Sequence, residues 1–138
     1  MGRYRRSGGG RTVDTRDPVS VDVLKAFLDA FNRHDLDGIM TFFGDNPVFD
    51  FPRGPHAWGS RAEGRSEVRR LLATRFEGIP NVHYGDDRHL VCGPRGVSEW
   101  LLTGTTKDGK EIRVRGCDLF EFEGDKISHK DSYWKIVE

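Results

Sequence analysis

Residues 110–135 read KEIRVRGCDLFEFEGDKISHKDSYWK, and the alternation within this stretch decides the fold. From Ile112 a period of two puts Ile112, Val114, Gly116, Asp118, Phe120 and Phe122 on one face of a strand. Arg113, Arg115, Cys117, Leu119 and Glu121 fall on the other, a mixed face suited to solvent or to a second subunit. Gly124-Asp125 turns the chain, and Lys126 to Ile136 returns as a second strand. One acid, Asp118, therefore stands among phenylalanines. Burying a carboxylate without a partner is costly, so Asp118 is either neutralised by a neighbour or functional.

The 138 residues suffice for one domain with a single core. Lys plus Arg and Asp plus Glu both number 22, so the formal net charge is zero and nucleic acid is not an expected partner. Cys92 and Cys117 are too few for a disulfide framework and lack metal-ligand spacing, which fits a reducing compartment. No apolar run is long enough for a bilayer and no signal-peptide core follows Met1-Gly2-Arg3, so the expectation is a cytoplasmic protein without a membrane partner.

Met1 to Asp17, with Gly8-Gly9-Gly10 and five arginines, reads as a disordered basic tail, leaving 18–138 as the domain. Val19 to Arg33 carries Val23, Leu24, Phe27, Leu28 and Phe31 at helical spacing behind Ser20 as N-cap. His34-Asp35 breaks this helix, and Leu36 to Phe43 makes a second. Val48 to Phe51 reads as a strand, Pro52 to Ala62 as a loop, and Glu67 to Phe76 as a third helix capped by Ser66. Asn81 to Cys92, Val97 to Thr106, Glu111 to Phe122 and Lys126 to Ile136 form an antiparallel meander. Helices first and strands afterwards predict an α+β fold, a strongly bent sheet wrapped over three helices into a cone.

Phe31-Asn32-Arg33-His34-Asp35-Leu36-Asp37-Gly38-Ile39, Pro47-Val48-Phe49-Asp50, Asp108-Gly109, Gly116-Cys117-Asp118-Leu119-Phe120-Glu121-Phe122 and Lys126-Ile127 through Tyr133-Trp134 follow one another along the chain. In that order they resemble a SnoaL-like member of the nuclear transport factor two superfamily, which also holds ketosteroid isomerases and limonene epoxide hydrolases. The resemblance is specific for fold and weak for reaction. It implies a cone-shaped barrel, with Asp118 at the isomerase's oxyanion-binding acid and Asp50 at its general base. The isomerase's helix tyrosine falls on Phe27, which cannot donate a hydrogen bond. The epoxide hydrolase's Arg-x-Asp falls on Glu99-Trp100-Leu101 and its second Asp on Ser132, so that triad is not supported.

The same counting turns Glu99, Leu101 and Thr103 inward beside Asp118, and Ser128, Lys130 and Ser132 toward the cone unless a bulge intervenes. The expected catalytic set is Asp118, Glu99, Lys130 and Asp50. Phe27, Phe49, Trp58, Leu101, Val114, Phe120 and Ser132 are the expected substrate-binding residues, Trp58 either as a lid over the mouth or packed on the third helix. His34, His56 and His129 are scattered, while His83 and His89 read as ordinary surface or core histidines, so no metal is expected. No Gly-rich phosphate loop leads from a strand into a helix, and no cofactor is expected. Trp100, Cys117 and Leu119 are read as an apolar patch on the outer face, predicting a homodimer.

Two functions fit. One is a cofactor-independent isomerase, cyclase or dehydratase acting on a small apolar organic substrate. The other is a non-catalytic ligand-binding or dimerisation domain of the same fold. An open cavity beside carboxylates marks the first, and charges paired and shut away mark the second.

Overall fold

The computed structural model describes residues 19–138, so the expected tail, Met1 to Asp17, lies outside the described residues. In chain order the elements are α1 (Val21–Asn32), α2 (Leu36–Met40), β1 (Phe43–His56), β2 (Gly59–Glu63), α3 (Arg65–Gly78), β3 (His83–Cys92), β4 (Arg95–Thr105), β5 (Glu111–Glu123) and β6 (Lys126–Trp134). The fold is mixed α+β. Its six strands run β2-β1-β6-β5-β4-β3 in a strongly curled sheet that does not close. All neighbours are antiparallel except β1 and β6, which run parallel. Among the described residues no helix is long and apolar enough to cross a membrane.

Leu24, Phe27, Leu28 and Phe31 repeat every three to four residues and give α1 its buried stripe. Ser20 occupies the N-cap, but its carbonyl, not its side chain, takes the first amides, those of Val23 and Leu24. At the last residue of α1, the Asn32 amide donates to the Tyr84 carbonyl at 2.9 Å and its oxygen accepts from the Tyr84 N–H at 2.8 Å. That two-way clamp fixes the helix end against β3. Asp35 caps α2 by accepting from the Gly38 N–H at 3.0 Å. The helix stops at Met40, short of the expected Phe43, because Phe43 already belongs to β1. α3 starts at Arg65 behind Gly64, not behind a Ser66 cap.

The expected loop from Pro52 to Ala62 is instead a hairpin. β1 runs on through Pro52 and Pro55 and pairs with β2, with the register broken between Phe51 and His56. Proline is tolerated here because the ladder is interrupted where it falls. Gly59 has φ +82°, and a Cβ there would strike the Phe51 carbonyl, so the turn depends on glycine.

The phase of β4 differs from expectation. The hairpin after β4 sets Thr105 opposite Glu111, which brings Ser98, Trp100 and Leu102 opposite Asp118, Gly116 and Val114. Directly paired residues share a face, so Ser98, Trp100 and Leu102 point into the cone, while Glu99, Leu101 and Thr103 point out. On β6 a bulge intervenes between the pairs Glu121–His129 and Phe122–Ile127. Ser128 is the extra residue; its hydroxyl donates to the Glu121 carbonyl at 3.1 Å, and Ile127 fills the core in its place.

Trp100, Leu24, Ile39, Leu72, Leu102, Phe120 and Ile127 are among the fully buried large side chains, each contributing about 1.5–3 kcal/mol of burial. Phe27 meets Phe31, Phe42, Phe43 and Phe120 edge-on at 5.1–5.8 Å between centroids. Phe27 and Phe120 are therefore core residues rather than the expected pocket wall.

Candidate functional site

Three neighbouring strands deliver the polar floor of the cone. Asp118 of β5 lies opposite Ser132 of β6, and Lys130 of β6 lies opposite both Phe120 and, across the parallel pair, Phe49 of β1. Asp118 Oδ1 accepts from Lys130 Nζ at 3.1 Å and from Ser132 Oγ at 2.5 Å, and Oδ2 accepts from Trp100 Nε1 at 3.1 Å. Lys130 Nζ also donates to Ser132 Oγ at 2.8 Å. Asp118 and Lys130 are each 4% exposed. The ammonium faces the rings of Phe49 and Phe31, 4.5 and 5.3 Å from their centroids. Burial lowers the pKa of Lys130, and the bond to Asp118 only partly offsets it.

Two further side chains reach this floor that the sequence reading did not name. Tyr84 of β3, held by the Asn32 clamp, stands edge-on to Trp100 at 5.0 Å. Burial, reinforced by the charge of Asp118, pushes its phenol well above the usual range despite the nearby Arg75, so it remains a neutral donor. Arg75 lies seven residues after Val68 and three after Leu72, on the buried stripe of α3. Its guanidinium stacks over Phe51 at 4.7 Å and over Trp134 at 4.4 Å. Burial lowers its pKa, with Tyr84 opposing.

The cavity these residues enclose measures about 10 Å³, room for roughly one water. Phe31, Phe49 and Leu72 form its apolar wall. Two wider clefts, about 300 and 510 Å³, share Pro52 and Trp134 with it. Pro52 and Trp134 thus stand between the floor and the outside.

Of the expected site residues the structure brings together Asp118, Lys130, Ser132 and Phe49. Val114 is buried but lines the 510 Å³ cleft. Trp58 stacks on His56 at 5.0 Å under the Arg61 guanidinium and lines the 300 Å³ cleft. Glu99 leaves the set: it points outward and pairs with Arg88 at 3.2 Å. Leu101 shares that outer face. Trp100, expected outside, is 1% exposed inside.

Asp50 also leaves the set. It is the neighbour of Phe49 along β1, so its side chain projects from the opposite face, aligned with Asp131. Arg61 grips both its oxygens at 2.7 and 2.9 Å, and His129 Nε2 donates at 2.8 Å. Burial would raise its pKa, but these partners outweigh burial and hold it below the usual value. Asp50, His129 and Asp131 bring ligand atoms within 4.8 Å of one another, a grouping that sequence spacing could not reveal. The Arg61 fork already occupies both Asp50 oxygens.

His89 is buried at the ring, 2.8 Å from Ser98 Oγ through Nδ1 and 2.6 Å from Asp87 through Nε2. It faces inward because the ladder is irregular between Gly85 and Arg88, where Asp86 has φ +47°. That break changes the phase between Tyr84 and His89.

A family model described as SnoaL-like domain matches residues 24–130. No curated protein matches the sequence. Among solved structures, a candidate polyketide cyclase from Xanthomonas campestris pv. campestris superposes with a TM-score of 0.73 at 20% identity, covering 83% of this chain and 88% of that one. A protein from Catenulispora acidiphila with a ketosteroid isomerase-like fold, in complex with trimethylamine, gives 0.72 at 19% identity over 86% and 88%. A candidate isomerase from Bacillus subtilis gives 0.70 at 18% over 83% and 84%. At these identities the likeness shows the fold.

Proposed function

The chain belongs to the SnoaL-like domain family, and from that premise we propose that its cone floor is a cofactor-independent acid–base site acting on a small organic molecule. The observation that carries this is the buried cluster of Asp118, Lys130, Ser132 and Trp100 below an aromatic wall. A buried ion pair is a poor stability device, since well-packed apolar residues of similar volume do as well or better. Two of the ammonium's three N–H groups go to Asp118 and Ser132, leaving one for a ligand.

In this mechanism Asp118 takes a proton from a carbon next to a substrate carbonyl. The free N–H of Lys130 and the Tyr84 hydroxyl donate to the oxygen as negative charge develops on it. Trp100 and Ser132 keep the carboxylate oriented while the proton is moved on to the product. The phenol that the resemblance sought on α1, where Phe27 stands, is supplied from β3. Because the resting cavity admits only a water, substrate entry requires its mouth beside Pro52 to open. Double-bond isomerisation, aldol-type cyclisation and β-hydroxy-carbonyl dehydration can each begin with such a proton abstraction.

Exchange of α-protons of cyclopentanone and cyclohexanone for solvent deuterium, followed by proton NMR, tests the proposal. Exchange by the wild type should fall about 100-fold in Asp118→Asn. Equal rates for both proteins would remove the catalytic role.

The closed cavity and paired charges favour a second reading, a non-catalytic ligand-binding module of the same fold. Under it the ketones bind without exchange. Either way, the outer sheet face, with Leu119, Tyr133 and Cys117, is proposed as the contact of a two-fold dimer.

A further inference from the structure

Arg75 of α3 lies half-buried beside the cone floor. Among the described residues it makes no ion pair, although guanidinium keeps its proton at any physiological pH and a charge partly withdrawn from water is stabilised by a counter-charge. What surrounds it is aromatic: the Phe51 and Trp134 rings, and the Tyr84 phenol alongside. Asp118 is the one acid lining the same cavity, and Lys130, Ser132 and Trp100 already engage it. Two cations and one carboxylate leave the cavity one positive charge in excess.

The ground outside carries the same sign. The 510 Å³ cleft is bordered by Arg53, Lys110, Arg113 and Lys135 against Glu111, with Ile112, Val114 and Trp134 as apolar floor. Cations around an apolar cleft raise the local concentration of anions that have an apolar body.

We propose that the cone takes a small organic carboxylate, whose planar head is held by the Arg75 fork in the slot between Phe51 and Trp134. This names the substrate class for the site proposed above and rests on the cone being a small-molecule site. The geometry suits the head group: a guanidinium presents parallel N–H donors to both oxygens of a carboxylate, and stacking fixes the plane in which they point. The Tyr84 hydroxyl, neutral and beside Arg75, supplies a further donor. The apolar body lies against the wall formed by Phe31, Phe49 and Leu72 once the mouth beside Pro52 opens, with Trp134 still stacked on the guanidinium.

The test uses two probes of one shape and different charge, benzoate and benzamide, titrated by calorimetry into the full chain. Benzoate is expected to bind at least about tenfold more tightly than benzamide. Arg75→Gln should abolish that preference, and Arg75→Lys, which keeps the charge without the fork, should recover only part of it. Equal affinity of the two probes for the wild type would overturn the proposal, and this comparison needs no variant to fold. So would a benzoate preference that survives Arg75→Gln but is lost in an Arg53→Gln, Arg113→Gln double variant, which would put the anion in the outer cleft. No heat with either probe at millimolar concentration would overturn it as well.

The outcome separates from that of the proton-transfer mechanism. Arg75-dependent benzoate binding with ketone exchange unaffected by Asp118→Asn keeps the carboxylate site and removes the acid–base role. Asp118-dependent exchange with no benzoate preference does the reverse.

Discussion

Asp118 is held by three donors shared between its two oxygens, so any change there disturbs Lys130, Ser132 and Trp100 together. Asp118→Asn keeps the shape and removes the charge. Lys130 is then left as an unpaired buried cation, so urea unfolding should show a loss of about 3 kcal/mol or more on either functional reading. Exchange measured on the folded variant separates the alternatives: it collapses if Asp118 serves chemistry and is unchanged if the pair is only structural. Lys130→Met removes the cation and leaves Asp118 a buried carboxylate with only Ser132 and Trp100 as donors; it should lose stability in urea by about 3 kcal/mol or more, and lose activity because Met cannot donate to a substrate oxygen. Asp50 gives a different readout. Its folded pKa lies below the ordinary 3.8, so the unfolded state binds the proton first as acid is added. Its contribution is present above about pH 4 and is lost as pH falls through the folded value. The acid limb of a urea-midpoint profile should therefore be flatter in Asp50→Asn than in wild type.

At the scale of single elements, β5 is held to β4 by a contact that only glycine permits. A Cβ on Gly116 would lie 2.5 Å from the Trp100 ring and 2.5 Å from the Tyr133 carbonyl. Gly116→Ala should cost about 1–3 kcal/mol in urea and shift the tryptophan emission, since the indole must leave its bond to Asp118. The alternation of β5 was legible because Phe120, Phe122 and Val114 mark one face without ambiguity. β4 was not, for Leu101 and Leu102 are adjacent and Trp100 follows Glu99, so neither face is plainly apolar. Its phase comes from the pairing that places Thr105 opposite Glu111, information held in the hairpin rather than in the strand. Tyr84 could have been read from the alternation of Val82 and Tyr84. Arg75 sat in view on the stripe of Val68 and Leu72, but a lone arginine on a helix is ordinarily a solvated one. Asp50 was misplaced for a simpler reason: a position carried over from a resemblance does not by itself say which face the side chain takes.

For the whole molecule, the outer face offers Leu119 at 39% exposure, Tyr133 at 53% and Leu90 at 58%, with Trp100 removed from the patch once expected there. Leu119→Lys should turn a dimer into a monomer in light scattering, because a two-fold contact would bury the new charge twice. A wild type that already scatters as a monomer at micromolar concentration would dismiss the assembly. The parallel pairing of β1 with β6 reaches further. It joins the first strand to the last at the middle of the sheet, beside the strand that carries Asp118. During synthesis the β1–β2 hairpin leaves the ribosome with one edge open, and nothing closes that edge until residues 126–134 have emerged. The floor of the cone is thus the last part of this sheet to form, and a nascent chain halted before β6 is a sheet in two pieces with bare edges, the form most exposed to chaperones and to aggregation.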